Sequence, residues 1–226
     1  MKLSVIIPVY NEVRTIREII IVVASVPTPK EIIVVDDGST DGTRKILASL
    51  VVPGLRVIYQ DRNQGKGSAI RRGIAEATGD AIIIQDADLE YDPMDYLPLL
   101  RALVSGSADV IYGSRFLGKK SVTAPWHRFV NFFLTELTNL LYGCRLTDME
   151  TCYKLYRTET LRSIPLHSNG FEIEVELTAK TLRSGRRIQE LPISYKGRSF
   201  HDGKKIGWRD GVRAVRELVR YRFFAG

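Results

Sequence analysis

The first half of the chain alternates short aliphatic runs with stretches of helical periodicity. Several of the runs are continuously apolar, among them Val5-Ile6-Ile7 and Ile32-Ile33-Val34-Val35, which is typical of strands whose two faces are both covered. Strands that alternate with helices predict an α/β fold, with a mostly parallel central sheet flanked by helices. The predicted strands are 3–9, 31–36, 55–59, 81–85 and 109–112, and the predicted helices between them are 12–24, 41–50, 65–77 and 94–104.

The pattern changes after residue 120 and ends in a basic amphipathic helix. We predict helices at 125–142 and 171–184, a strand at 187–195, a polar stretch at 196–207 and a terminal helix at 208–224. Arginines lie beside an apolar stripe on the terminal helix, so this helix either lies on a membrane surface or packs on the protein's own sheet. The stripe comprises Trp208, Val212, Val215, Val219 and Phe223.

Composition and charge indicate the size of the domain and its cellular environment, but they do not indicate its function. The chain has 226 residues, 44% of them hydrophobic, which is enough for the core of one large domain. Cys144 and Cys152 show no metal-ligand spacing and suit two reduced thiols in the cytosol. A strand pattern begins at once, so we expect no signal peptide, and no apolar run reaches the roughly 20 residues that cross a bilayer. The net charge of +7 suits an anionic partner, whether nucleic acid, lipid or phosphorylated substrate.

Carboxylates follow two of the predicted strands. The run Ile82-Ile83-Ile84 is followed by Asp86, Asp88 and Glu90, and the second strand ends in Asp36-Asp37. In open α/β sheets, ligands bind beyond the carboxyl ends of the strands, and acidic residues there accept hydrogen bonds from a base or ribose. Mg²⁺ is typically held by one or two carboxylates together with substrate phosphates. The pattern favours a nucleotide diphosphate bridged by a metal, although Asp86 and Asp88 could instead be turn formers that cap the next helix.

Two other ligand classes fit the sequence poorly. The first strand–helix turn, 8–12, has no glycine, which argues against the close backbone approach that NAD and FAD require. The triplet Gly65-Lys66-Gly67 is isolated and does not fit that fingerprint either. A nucleic-acid surface would not gather so many carboxylates in its binding face, so we expect no nucleic-acid partner.

Four segments stand out when they are taken together. They are Ser-Val-Ile-Ile-Pro-Val-Tyr-Asn-Glu at 4–12, Val-Val-Asp-Asp-Gly-Ser-Thr-Asp at 34–41, Gln-Asp-Ala-Asp-Leu at 85–89 and Gly-Ser-Arg-Phe at 113–116. In this order they resemble the family 2 nucleotide-sugar glycosyltransferases of GT-A fold, in particular the dolichol-phosphate mannose synthases and their bacterial polyprenyl-phosphate relatives. The resemblance implies an inverting, metal-dependent transfer of a hexose from GDP-mannose or UDP-glucose to a polyprenyl or dolichyl phosphate.

The resemblance also implies roles for particular residues. It implies a single domain, 1–226, in which 1–120 binds the nucleotide sugar, 121–207 forms the acceptor half with a mobile loop, and 208–226 is the amphipathic helix. Asp88 would be the direct ligand of Mg²⁺ or Mn²⁺, with Asp86 nearby and with Glu90 where mannose synthases have glutamine. The other implied roles are Pro8, Tyr10, Glu12 and Asp37 for the nucleoside, Arg198 and Lys204 for the donor pyrophosphate, Arg115 and Arg128 for the acceptor phosphate, and Asp148 for the sugar or acceptor.

Plainer interpretations of the same residues stay open. Arg115 and Arg128 could be solvated surface charges, Asp148 could cap a helix, and Glu172 and Glu174 head a helical stretch where acidic residues are favoured anyway. A phosphate acceptor needs no general base, whereas a saccharide hydroxyl, the alternative acceptor, would need one, and Asp148 or Glu174 would be the candidates. His127, His167 and His201 receive no catalytic role.

The expected location follows from the expected acceptor. A polyprenyl phosphate lies in the bilayer, so we predict a cytoplasmic protein that reaches the cytoplasmic face of the membrane peripherally. The terminal helix is the predicted attachment.

Overall fold

The structure is a computed structural model that describes residues 1–118, 121–122, 125–197 and 208–224. Its first half alternates strand and helix as predicted. The strands are β1 (Leu3–Val9), β2 (Lys30–Asp36), β3 (Leu55–Tyr59), β4 (Ala81–Ile84) and β5 (Val110–Ser114), and the helices are α1 (Ile16–Ser25), α2 (Thr43–Ser49), α3 (Lys66–Glu76) and α4 (Tyr96–Ser105), the last preceded by a 3₁₀ turn at Pro93–Asp95.

The second half adds one large helix, three smaller ones and four strands. Its helices are α5 (Pro125–Tyr142), α6 (Thr158–Arg162), α7 (Ile173–Arg183) and α8 (Trp208–Phe223), and its strands are β6 (Ser121–Val122), β7 (Lys154–Arg157), β8 (Ile188–Pro192) and β9 (Tyr195–Lys196). The predicted strand at 187–195 is therefore two strands. The second of them, β9, pairs with β6 in a separate small sheet.

The main sheet has the order β3-β2-β1-β4-β7-β5-β8. All neighbours are parallel except β7, which runs antiparallel to both β4 and β5. The sequence analysis missed β7. Because the other strands share one direction, their carboxyl ends meet at one edge, and the side chains that follow β1, β2, β4 and β5 converge there.

Close packing fixes α3 against the sheet. The aliphatic side chains of β1, β2 and β4 are fully buried, as expected for strands covered on both faces. A side chain at Gly73 would place its Cβ 2.4 Å from a methyl carbon of Ile6. The absence of a side chain therefore lets α3 approach β1, and this approach brings the start of the helix to the edge where β4 ends.

Helices α5, α7 and α8 surround a second apolar cluster. It contains Leu134, Leu146, Met149, Val175, Ala214 and Leu218. Ala214 and Leu218 come from α8, whose Tyr221 is buried as well. Of the predicted stripe, Val212 and Phe223 are exposed instead, and Val215 and Val219 are half-buried. The packed face of α8 thus contacts α5 and α7 rather than the sheet. Its buried positions lie outside the predicted stripe, of which, among the described side chains, only Val215 packs against the cluster.

Within the described part of the chain, no helix combines the length and the apolar character that crossing a bilayer requires.

Candidate active site

The ends of β1 and β2 are joined by hydrogen bonds between their loops. The Asn11 N–H donates to Ser39 Oγ at 2.9 Å, and the Thr40 N–H donates to Asn11 Oδ1 at 2.8 Å. The Glu12 N–H donates to Thr43 Oγ1 at 3.0 Å. Asn11 takes a positive φ of 53° to make this turn. The turn places the predicted nucleoside residues Pro8, Tyr10 and Glu12 together at the carboxyl edge, each partly exposed.

Asp37 organises the start of α3. It is almost fully buried, and its two carboxylate oxygens accept the backbone N–H groups of Gln64 and Gly65 at 2.7 Å each. Burial raises its pKa, against the two amide hydrogen bonds and with the help of the neighbouring Asp36. Asp36 itself is buried against Arg44, at 2.6 Å. Asp36 and Asp37 therefore stabilise the loops that surround the predicted nucleoside site.

The Asp-x-Asp loop after β4 is held from beneath by Gln85. This buried side chain accepts hydrogen bonds from the hydroxyls of Tyr96 and Tyr153 and donates to the Asp86 carbonyl at 2.9 Å. Leu89 takes a positive φ of 63°, which is rare for a branched side chain. The cap of the following 3₁₀ turn is Asp92. The alternative that Asp86 and Asp88 cap the next helix is therefore wrong.

The three predicted metal-site carboxylates have protein contacts. Asp88 Oδ1 accepts the Glu90 N–H at 3.2 Å, Glu90 accepts the Tyr195 hydroxyl, and Asp86 pairs with Lys66. The described residues contain no ready group of three acidic, histidine or cysteine side chains around one point. The oxygen donors nevertheless fit a hard divalent cation, because Mg²⁺ is usually held by one or two carboxylates and completed by phosphate oxygens.

A chain of buried, alternating charges runs inward from Asp86. Lys66 Nζ lies 2.8 Å from Asp86 Oδ1 and 3.1 Å from Glu174 Oε1. The other oxygen of Glu174 pairs with Lys154, whose ammonium also donates to the Thr151 carbonyl at 2.7 Å. Burial opposes the charge of Lys66, yet Asp86 and Glu174 raise its pKa well above the ordinary value. Lys66 is therefore a cation inside the site.

Lys66 belongs to the glycine triplet that the sequence analysis set aside. Gly65 takes a φ of +99°, and a Cβ at Gly67 would lie 2.3 Å from the Ser168 carbonyl oxygen. The Gly67 N–H donates to the Asn169 carbonyl at 2.7 Å. The two glycines thus let the start of α3 press against the segment before α7 and bring Lys66 between Asp86 and Glu174. The feature of the sequence that could have indicated this role of Lys66 is the pair of glycines that flanks it just before a predicted helix.

Arg115, just beyond β5, is bound at both ends of its fork by Asp148. Arg115 Nε and Nη2 each donate to a different Asp148 oxygen at 2.7 Å, and the Arg115 N–H adds a contact of 2.9 Å. Asn131 donates to the same carboxylate at 2.8 Å. The Asp148 side chain is fully buried and that of Arg115 is 12% exposed. Arg115 is therefore no solvated surface charge. The helix-cap interpretation of Asp148 is wrong, since no helix begins there. Asp148 holds Arg115, and its contact with a sugar or acceptor stays a prediction.

Arg128, near the start of α5, stays exposed. Its guanidinium carbon lies 6.0 Å from the centre of the Phe116 ring, and that of Arg115 lies 5.7 Å from the same ring. Arg115 also lies 5.2 Å from the ring of Tyr195, whose hydroxyl donates to Glu90. The structure thus brings the two predicted acceptor arginines to one aromatic ring. Tyr195 connects them to the metal-site loop.

Glu150 is a buried carboxyl that the sequence analysis did not select. Burial raises its pKa from 4.5 to about 7; Lys154 and Arg115 oppose the shift, and Glu174 and Asp148 add to it. Its Oε1 has no hydrogen-bond partner among the described residues. A carboxyl with this pKa exchanges a proton near neutral pH.

The remaining residues considered from the sequence either make only local backbone contacts or lie outside the described part of the chain. Glu172 accepts the Gly170 N–H at 3.1 Å, and the His167 N–H donates to Glu176. Arg198, Lys204 and His201 lie outside the described residues, as does the His127 side chain.

The chain is similar to known proteins in both sequence and fold. Residues 4–164 match the family model described as Glycosyl transferase family 2. The chain is 31% identical over 225 residues to the undecaprenyl-phosphate mannosyltransferase of Micrococcus luteus, covering 95% of this chain and 92% of that protein. It is 31% identical over 217 residues to the polyprenol monophosphomannose synthase of Mycolicibacterium smegmatis, covering 90% of this chain and 80% of that protein.

Among solved structures, a similar fold occurs in the glucosyl-3-phosphoglycerate synthase of Mycobacterium tuberculosis. That protein was crystallised in complex with Mn²⁺, uridine diphosphate and phosphoglyceric acid. The TM-score is 0.72 at 22% identity, covering 97% of this chain and 76% of that one.

Proposed function

The chain belongs to glycosyl transferase family 2, and from that membership we propose that it transfers a hexose from a nucleotide sugar to a polyprenyl phosphate, with inversion at the sugar carbon. The observation that carries the proposal is the pair of arginines, Arg115 and Arg128, which flank Phe116 beyond the end of β5. The exposed guanidinium of Arg128 suits phosphate oxygens. Arg115, whose Nε and Nη2 are held by Asp148, adds a fixed positive charge beside it. The names of the two relatives support a polyprenyl phosphate as the acceptor.

The ion pairs made by the two candidate general bases favour a phosphate acceptor over a hydroxyl acceptor. A saccharide hydroxyl must lose a proton, and the sequence offered Asp148 or Glu174 as the base. Asp148 accepts both arms of the Arg115 fork, and Glu174 lies between the ammonium groups of Lys66 and Lys154. Both carboxylates are therefore already engaged by cationic groups of the protein. A polyprenyl phosphate carries its own anionic oxygen and needs neither.

The proposed donor is GDP-mannose, with UDP-glucose as the alternative. Two relatives are named for mannose transfer, and the solved structure of similar fold holds uridine diphosphate. We place the nucleoside at Pro8, Tyr10, Glu12 and Asp37, and we assign Arg198 and Lys204 to the diphosphate.

The mechanism is a direct displacement. Asp88, with Asp86 and Glu90 nearby, would hold Mg²⁺ or Mn²⁺, which when bound offsets charge on the leaving diphosphate. Lys66 supplies a further fixed cation beside Asp86. Arg115 and Arg128 orient the acceptor so that its phosphate oxygen approaches the sugar carbon opposite the leaving oxygen, and this positioning lowers the barrier. As the new carbon–oxygen bond forms, the bond to the diphosphate breaks and its electron pair leaves with the nucleotide.

Location follows from the acceptor. We propose that the protein works at the cytoplasmic face of the membrane as a peripheral protein.

One observation favours transfer to a saccharide hydroxyl instead. Glu150 has a pKa of about 7, which matches a general base at neutral pH. The two candidates differ in how they depend on this carboxyl. A hydroxyl acceptor would lose nearly all turnover in Glu150→Gln, whereas a phosphate acceptor would not.

An acceptor comparison tests the proposal. Wild-type protein and Glu150→Gln are each given labelled GDP-mannose or UDP-glucose, with either a polyprenyl phosphate or a simple glycoside. We expect organic-phase label with the phosphate only, and near-native rates in Glu150→Gln. Transfer to the glycoside that disappears in Glu150→Gln would establish the hydroxyl acceptor instead.

A further inference from the structure

Tyr195 lies between the metal-site loop after β4 and the acceptor arginines, yet it has no role in the proposed mechanism. It is the first residue of β9, and its side chain is buried. Its hydroxyl donates to the Glu90 carboxylate, and the centre of its ring lies 5.2 Å from the guanidinium carbon of Arg115. One side chain therefore contacts both a predicted metal ligand and a predicted acceptor residue.

Hydrogen bonds join both neighbours of Tyr195 to the segment after β4. The Lys196 N–H donates to the Glu90 carbonyl at 2.9 Å, and the Ser194 N–H donates to Asp95 Oδ2 at 2.7 Å. Neither bond uses the side chain of Tyr195, so the path of β9 beside the metal-site loop is set without it. We therefore expect a substitution at Tyr195 to remove contacts of the side chain and to leave the strand in place.

Aromatic packing fixes the position of the Tyr195 ring. Tyr91 meets this ring edge-on at a centroid distance of 5.1 Å, and Tyr91 in turn packs against Tyr153 at 4.7 Å. The Tyr153 hydroxyl donates to Gln85, the side chain that holds the metal-site loop from beneath. Edge-to-face and tilted arrangements are favourable for aromatic rings. The cluster therefore fixes the Tyr195 hydroxyl and the metal-site loop relative to each other.

The hydroxyl and the ring of Tyr195 contact different partners. Burial raises the pKa of Tyr195 well above its ordinary value; the Glu90 carboxylate adds to the rise, and Arg115 opposes it. The phenol therefore keeps its proton and donates it to Glu90. A carboxylate has about four acceptor sites, so a donor that orients Glu90 still allows the same carboxylate to bind a cation. The ring instead lies within about 6 Å of a guanidinium, the range of an attractive cation–π contact.

We propose that Tyr195 is a positioning residue for both substrates: its hydroxyl orients Glu90 for the divalent cation of the donor, and its ring holds Arg115 beside the acceptor phosphate. The inference rests on the proposed function, which supplies the metal and the acceptor. Groups that hydrogen-bond to metal-ligating side chains typically raise metal affinity by about 10–100-fold. The ring has the smaller effect, about fivefold on the acceptor, because Asp148 already holds Arg115 through two hydrogen bonds.

Three substitutions separate the hydroxyl from the ring. Tyr195→Phe removes only the hydroxyl, and Tyr195→Leu removes the hydroxyl and the ring. Tyr142→Phe is the matched control, because it also removes a phenol hydroxyl that donates a hydrogen bond, here to the Leu218 carbonyl at 2.9 Å, but at the last residue of α5. Electron paramagnetic resonance measures Mn²⁺ binding with GDP or UDP and without acceptor. Steady-state kinetics at saturating donor and metal measures the KM for a water-soluble, two-isoprene phosphate.

The two measurements should respond differently to the variants. We expect Tyr195→Phe to weaken Mn²⁺ binding by about tenfold or more and to leave the acceptor KM at saturating metal unchanged. Tyr195→Leu should weaken Mn²⁺ binding to the same extent and also raise the acceptor KM by about fivefold. Tyr142→Phe should match wild type in both measurements. In a Glu90→Ala background, Tyr195→Phe should cause no further loss of Mn²⁺ affinity, because the hydroxyl acts through that carboxylate.

Native Mn²⁺ affinity in Tyr195→Phe, or an equal loss with and without Glu90, overturns the role of the hydroxyl. An unchanged acceptor KM in Tyr195→Leu overturns the role of the ring. If Tyr195→Leu does not fold, Tyr195→Met, which is longer and also lacks a ring, takes its place. Wild-type protein that transfers to no polyprenyl phosphate, while Mn²⁺ affinity follows the expected order among the variants, contradicts the proposed function and leaves the role of Tyr195 at the metal standing.

Discussion

Replacing Asp148 by asparagine should separate the acceptor site from the rest of the enzyme. The side chain keeps its shape but loses the charge that holds Arg115 through two contacts of 2.7 Å. Breaking a buried ion pair by removing one partner costs about 3–5 kcal/mol, because the remaining charge is left uncompensated. Arg115 retains 12% exposure and can turn toward solvent. We therefore expect a loss near the lower end, about 3 kcal/mol of unfolding free energy.

A matched control separates stability from catalysis. Glu31 lies at the opposite end of the sheet, where Ser4, Thr78 and Lys2 stabilise its carboxylate and lower its pKa to about 2 against the effect of burial. Glu31→Gln should therefore cost a similar amount, about 3 kcal/mol at neutral pH, while the acceptor site stays intact. Urea unfolding measures both losses, and steady-state kinetics at saturating donor measures the acceptor KM and kcat.

The two variants should differ in kinetics. Asp148→Asn should raise the acceptor KM and lower kcat by at least tenfold with nucleotide affinity near native, whereas Glu31→Gln should leave all three unchanged. Identical kinetics in the two variants would refute the argument that Asp148 acts by positioning Arg115.

Three further predictions follow from the same site. Arg115→Lys keeps the charge but loses the fork, so turnover should fall while calorimetry shows near-native nucleotide affinity; a large loss of donor affinity with an unchanged acceptor KM would reverse the assignment. Asp88→Ala should reduce turnover by about 10²–10³-fold, and a chelator should act similarly on wild type; full activity in either case would contradict metal dependence. The raised pKa of Glu150, about 7, means that the folded state binds this proton more tightly than the unfolded chain. Relative to Glu150→Gln, wild-type unfolding free energy should therefore fall by about 3 kcal/mol as pH rises from 4.5 to above 7. Equal differences in urea titrations at the two pH values would show that folding does not raise the pKa of Glu150.

The parallel half of the fold was predictable because its strands carry their own signal. Runs such as Ile32-Ile33-Val34-Val35 are long and continuously apolar, and each is followed by a helical pattern. The β1–β5 alternation was confirmed on that basis. The GT-A fold, which the resemblance to family 2 glycosyltransferases implied, was confirmed by the solved structure of similar fold. The position of the carboxylates after β4 was predictable for the same reason, because residues that directly follow a parallel strand lie at the carboxyl edge of the sheet.

Strand β7 could not be predicted in the same way. It reads Lys-Leu-Tyr-Arg over Lys154–Arg157, and its first residue is a fully buried lysine. Its pairing with Glu174 and its hydrogen bond to the Thr151 carbonyl make that burial tolerable. Local periodicity does not show a partner twenty residues away. The Arg115–Asp148 pair was missed for the same reason, although each residue had been selected separately.

Helix α8 shows a different limit. Its apolar residues suggested one stripe, yet the face that packs uses Ala214, Leu218 and Tyr221. A small alanine and an amphipathic tyrosine weigh little in a hydrophobic pattern, but they fit closely against neighbouring helices. Which apolar residues stay outside depends on α5 and α7, and the sequence of α8 alone does not contain that information.

Transfer of a hexose to a polyprenyl phosphate is tested most directly by determining the structure of the product. Wild-type protein is incubated with GDP-mannose or UDP-glucose, Mg²⁺ or Mn²⁺ and a polyprenyl phosphate, and the lipid product is analysed by phosphorus and proton NMR. We expect a sugar joined to the lipid through one phosphodiester, with the β configuration from an α-linked donor. A lipid diphosphate sugar, an α-linked product or a glycosidic bond to a hydroxyl would contradict this expectation.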